Sequence, residues 1–158
     1  MTHATAAKHE DSLDRLLAQV CARRAEFSAL RHLPDDIVEL LKETGVYRAL
    51  VARRFGGDER RPSDVYWLVE RIAAVDGSTG WIASFAHGAS YLAALSVATL
   101  ERIYSQGPDV IVAGGLYPLH KASRVEGGFK VNGRWQFASG CMSASLICVG
   151  IQPDESGD

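Results

Sequence analysis

The side chains best suited to chemistry are five histidines, at His3, His9, His32, His87 and His120, and three cysteines, at Cys21, Cys141 and Cys148. No pair of histidines stands at ligand spacing with a carboxylate or a cysteine, so no metal site is expected. His87 lies in a long uncharged stretch and reads as a satisfied buried histidine rather than a base. Cys141 and Cys148 have no adjacent basic residue to lower a thiol pKa, which argues against a nucleophile. An odd number of cysteines fits neither a disulfide framework nor paired metal ligands and points to a reducing compartment. The arginines Arg48, Arg53, Arg54, Arg60 and Arg61 are interrupted by Asp58 and Glu59, as in a solvated connector. The glycine pairs Gly56-Gly57, Gly114-Gly115 and Gly127-Gly128 lack the spacing of a dinucleotide fingerprint or a phosphate loop. No catalytic machinery is evident from residue types alone.

The chain that positions these groups has 158 residues, 47% of them hydrophobic and 23% charged, which is ordinary for a folded globular protein. Seventeen basic against nineteen acidic residues leave a formal charge of −2, with no general field to attract nucleic acid or anionic lipid. Met1 to Asp14 contains no apolar core of a secretory signal, so a cytoplasmic location is expected. Gly77 to Leu100 carries no formal charge and is long enough to span a bilayer. It is rich in Ala, Gly, Ser and Thr, however, and its composition predicts a helix buried on all sides in a protein without membrane contact.

Helical periods dominate the first two thirds. Leu13, Leu16, Leu17 and Val20 share one face of a predicted helix over residues 10–29. Pro34 suits the first turn of a second helix, with Asp35 and Asp36 near its positive end and Gly45 as its stop. Pro62-Ser63-Asp64 opens a third, whose Val65, Leu68, Val69 and Ile72 repeat the spacing. Asp76-Gly77-Ser78 is a turn into the uncharged stretch, and a shorter helix near Thr99 to Ser105 ends at Gly107-Pro108. Strand character follows. Val110-Ile111-Val112 is a short apolar run, and Asn132-Gly133 predicts a hairpin joining Gly128–Val131 to Arg134–Phe137. Phe129 and Val131 would then lie on one face and Trp135 and Phe137 on the other, so both faces need a cover. A last strand, Leu146 to Ile151, leads to a polar end, Gln152 to Asp158. The expected fold is α+β: a helical domain, 1–107, followed by the beginning of an antiparallel β domain, 108–158, which reads as cut short.

Three segments in order carry a resemblance. They are Glu39-Leu-Leu-Lys-Glu-Thr-Gly-Val-Tyr-Arg-Ala-Leu-Val-Ala-Arg-Arg-Phe-Gly-Gly57, Asp76-Gly-Ser-Thr-Gly-Trp81 and Gly127-Gly-Phe-Lys-Val-Asn-Gly-Arg-Trp-Gln-Phe-Ala-Ser-Gly-Cys141. Together they resemble the amino-terminal helical domain and the start of the middle β domain of the acyl-CoA dehydrogenase superfamily. The acyl-CoA dehydrogenases usually carry Thr-Glu-Pro-x-x-Gly-Ser-Asp in the first β segment and Trp-Ile-Thr-Asn after the hairpin. Here stand Leu116-Tyr-Pro-Leu-His-Lys-Ala-Ser123 and Phe137-Ala-Ser-Gly140, similar to the flavin-dependent monooxygenase branch.

That resemblance implies a flavin, FMN or FAD, between the helical and β parts, with Ser139 as the hydroxyl donor near flavin N5. It implies Phe137 and Gly140 beside the ring, the backbone of Ala113, Gly114 and Gly115 along it, and Trp81 on the substrate side. Taken only as residues, Ser139 also suits a turn, and Trp81 and Phe137 a core. Such enzymes take reduced flavin from a separate reductase and hydroxylate an aromatic or polyketide-like small molecule with O2, and the complete family members are homo-oligomers. An acyl-CoA dehydrogenase proper and a non-catalytic truncated fragment are the alternatives, because the family's carboxy-terminal helical bundle has no counterpart in this chain.

Overall fold

The computed structural model describes residues 3–154, side chains from His9 onward. Six α-helices precede three strands: α1 (His3–Leu30), α2 (Asp35–Glu43), α3 (Pro62–Val75), α4 (Gly77–Ala83), α5 (Gly88–Leu92), α6 (Val97–Ile103), β1 (Val112–Val125), β2 (Gly128–Val131) and β3 (Leu146–Pro153). Of the polar end expected from Gln152 onward, residues 155–158 lie outside the described range, as do Met1 and Thr2 of the amino-terminal stretch.

The apolar period of α1 does what it predicts: Leu13, Leu16 and Val20 are buried, joined two turns later by Phe27. The helix starts earlier than expected because the alanines after His3 favour helix without needing a packed face. Ile37, Val38 and Leu41 of α2 and Val65, Leu68 and Ile72 of α3 complete the same core. Ile111, just before β1, is fully buried in it, so the chain leaves the helical part from inside. The connecting arginines are tied down singly, Arg53 by Glu59, Arg54 by Glu101 and Arg61 by Asp64, as suits a solvated connector.

Gly77 to Leu100 departs from the expected single buried helix. It breaks into α4, a 3-10 turn at Ser84–His87, α5 and the start of α6, and it exposes Trp81, Tyr91, Leu95 and Val97. The causes are local. Ser84 Oγ donates back to the Trp81 carbonyl (2.6 Å), which bends a helix, and Ser96 caps α6 by accepting from the Thr99 amide (3.3 Å). His87 is half-buried: its Nδ1 lies 3.0 Å from the Ser84 carbonyl and its ring stacks on Tyr66, while Nε2 has no partner.

The sheet has the order β2-β1-β3 and is mixed, antiparallel between β1 and β2 and parallel between β1 and β3. The hairpin forms one turn earlier than Asn132-Gly133 predicts. β2 pairs with β1 across Glu126-Gly127, with Val125 opposite Gly128, and Gly127 takes the positive φ (+77°) that this tight turn needs. Arg134–Phe137 is not a strand. Tertiary contacts hold it elsewhere: Trp135 packs edge-on against His120 and donates from Nε1 to the Gly150 carbonyl at 2.9 Å, which draws the segment over β1 and β3. Leu116, Tyr117, Phe129, Val131 and Ile147 leave apolar surface exposed on the sheet.

Candidate functional site

A cavity of about 710 Å³ opens where the end of α1 and the start of α4 meet the segment after Phe137. That size falls within the roughly 300–1,000 Å³ of small-molecule sites. Its apolar walls are Phe27, Leu33, Trp81, Ile82 and Met142, and its polar lining includes Arg24, Arg31, Asp76 and Ser139.

Each wall has a local cause. Asp76 caps α4 by accepting from the Thr79 amide (2.7 Å) and hydroxyl (2.8 Å), which fixes the first turn and so the place of Trp81 one turn on. Trp81 meets Phe85 edge-on, with ring centroids 5.7 Å apart. Opposite, Ala138 to Cys141 form a β-turn closed by the Cys141 amide on the Ala138 carbonyl (3.1 Å), with Gly140 at φ +77° in its third position. Ser139 is the corner residue of that turn and is exposed. Below the turn, Gly115 of β1 meets the loop so closely that a Cβ there would stand 2.9 Å from Trp135 Cβ. On the helical side Arg24 reaches the Val75 carbonyl (3.4 Å), and burial pushes the Tyr47 phenol, hydrogen-bonded to the Ile82 carbonyl (3.3 Å), well above its ordinary pKa.

Of the residues singled out from the sequence, Trp81, Ser139 and Gly140 line this one cavity. Ala113 is buried in β1 opposite Ile147, and Gly114 and Gly115 pair with Cys148 and Val149. None of these three lines the cavity, nor does Phe137, which is 91% exposed with φ +57°. Arg24, Phe27 and Arg31 on the far wall escaped sequence reasoning. The available signal was Arg31-His32, a basic pair with no acidic neighbour between the first helix and Pro34.

No family model matches the chain. The curated proteins it matches nonetheless include monooxygenases and hydroxylases, several of them named as flavin-dependent or as oxygenase components, and its structural neighbours have the acyl-CoA dehydrogenase-like fold. In particular, the chain is 48% identical over 137 residues to the indole-3-acetate monooxygenase of Pseudomonas putida, covering 87% of this chain and 35% of that protein. It is 36% identical over 139 residues to the flavin-dependent monooxygenase oxygenase subunit HsaA of Rhodococcus jostii, covering 87% and 36%. The crystal structure of a 3-HSA hydroxylase from a Rhodococcus species superposes with a TM-score of 0.84 at 34% identity, over 96% of this chain and 40% of that one. The chain thus spans little more than a third of the length of the relatives it matches.

Proposed function

We propose that this chain carries part of the flavin and substrate site of a two-component monooxygenase, an oxygenase component that hydroxylates an aromatic small molecule with reduced flavin and O2. The observation that carries this reading is the convergence of Trp81, Ser139 and Gly140 on one cavity between α1, α4 and the turn. The cavity suits the cofactor: its volume matches a ring system, part of its wall is apolar, and one of its three serines, Ser139, sits on a turn corner with its hydroxyl free of any partner among the described residues.

We assign the cofactor side to Ser139 and Gly140 and the substrate side to Trp81; Phe137 and the Ala113-Gly114-Gly115 backbone, which do not line this cavity, would border the cofactor from outside it. Bound, reduced flavin supplies the two electrons for cleaving O2, one oxygen entering the substrate and the other leaving as water. The protein's own part is to donate the Ser139 hydrogen bond toward N5 and to exclude water with Phe27, Trp81 and Ile82. In this reading 1–107 and 108–158 are the helical and β units. A flavin reductase is the redox partner, the complete protein assembles as a homo-oligomer, and the site works in the cytoplasm. Among the described residues no helix is long and apolar enough to cross a membrane.

Titration of the 158-residue chain with reduced FMN and FAD tests the proposal. Saturable binding in the micromolar range is expected, weakened about fivefold by Ser139→Ala, the value of one lost hydrogen bond. No saturable binding, or an unchanged affinity in the variant, overturns the role given to Ser139.

A further inference from the structure

The far wall of the cavity contains a charge that no described residue answers. Arg31 follows the last residue of α1 and closes that helix with its amide on the Phe27 carbonyl (2.8 Å) at φ +60°. That is the left-handed closing position at which glycine is the usual residue, and a non-glycine there is uncommon. Arg31 is exposed and, among the described residues, has no ion pair and no side-chain hydrogen bond. Among the lining residues the only carboxylate is Asp76, whose Oδ1 is committed to capping α4. Arg24, the second arginine of the lining, has only a long contact to a backbone carbonyl.

A costly backbone conformation that keeps an unpaired cation at the edge of an aromatic-walled cavity is the kind of local strain that accompanies a ligand contact. The geometry points to Arg31 as the anion-recognition residue of this cavity, and to an aromatic monocarboxylate as its ligand, with the ring against Phe27 and Trp81 and the carboxylate at the guanidinium. A guanidinium matches a carboxylate in two parallel hydrogen bonds. The choice of a carboxylate over a phosphate follows the 48% identity to an indole-3-acetate monooxygenase. That the acid is a substrate rests on the monooxygenase reading; the selectivity of the cavity for an anion does not.

Calorimetric titration of the 158-residue chain with indole-3-acetate and with neutral indole, at low ionic strength, tests this directly. The acid is expected to bind about ten to a hundred times more tightly than indole, as a charge-assisted contact implies. Arg31→Gly suits the backbone better than the native residue, so its fold and unfolding midpoint should be retained or improved while the preference for the acid collapses to about twofold. Arg31→Lys should keep part of the preference, since charge without the planar fork remains. Equal binding of acid and indole, no binding of the acid, or a preference that survives Arg31→Gly overturns the inference. FMN against riboflavin separates a flavin phosphate from a carboxylate: an Arg31→Gly variant that loses only the preference for FMN over riboflavin also overturns it. Anion selectivity without any flavin binding would instead overturn the monooxygenase reading alone.

Discussion

Gly140 and Phe85 touch across the edge of the cavity: a Cβ on Gly140 would stand 2.8 Å from Phe85 Cε2. The same glycine has φ +77°, so the turn that presents Ser139 depends on it both for backbone and for space. Gly140→Ala should therefore destabilise the chain by about 1–3 kcal/mol and weaken flavin binding together with it. Urea denaturation read beside the flavin titration checks this, and an unaltered midpoint would mean that the turn tolerates a side chain.

Asp76 acts at the opposite wall. Asp76→Ala removes the cap of α4 and should cost about 1 kcal/mol, the usual value for such a cap. Because α4 carries Trp81, the loss should appear as a changed tryptophan emission before global unfolding. A variant with native emission and native stability would show that the 2.7 Å contact to Thr79 does not hold the wall.

Arg48 and Asp109 join the connector after α2 to the entry of β1, with Arg48 Nε donating to Asp109 Oδ1 at 2.9 Å and a second contact alongside. Asp109 is largely buried, its side chain 17% exposed. Asp109→Asn keeps the shape and removes the charge, and should lower stability by about 1–3 kcal/mol. Thermal unfolding of the single variants and of the pair Asp109→Asn with Arg48→Gln separates the coupling from the two individual losses.

Stability should fall at both ends of the pH scale for different reasons. Hydrogen bonds from Arg23 lower the carboxyl pKa values of Glu26 and Asp36. Their contribution is present above the ordinary carboxylate range and is lost as pH falls below about 4. Both groups are solvent-exposed, so the effect is small and weakened by salt. Burial raises the Tyr47 and Tyr104 phenols, so their contribution is complete below about pH 10 and disappears as pH rises beyond it, when the unfolded chain ionises first. Tyr47→Phe should flatten the alkaline limb; an identical limb would show that Tyr47 does not control it.

Much of the helical part was legible because its signals are local. The faces of α1, α2 and α3 follow from apolar spacing, and their starts at Pro34 and Pro62 from backbone constraints within one turn. The strand at Leu146 was readable as an apolar run and that at Gly128 from alternation, though its partner was not the expected Arg134–Phe137. By itself, then, the sequence determined the class of fold and, through the resemblance of three motifs in order, singled out Trp81, Ser139 and Gly140, which line one cavity, together with Ala113, Gly114, Gly115 and Phe137, which do not. Only the tertiary structure decided that Gly77 to Leu100 breaks into pieces and that β2 pairs across Glu126-Gly127. It also decided that Arg31, far from Ser139 along the chain, stands on the wall facing it. Periodicity records which side of an element is apolar. Which distant element meets that side, as Trp135 meets His120, depends on contacts whose energies exceed the local preference of a dipeptide such as Asn132-Gly133.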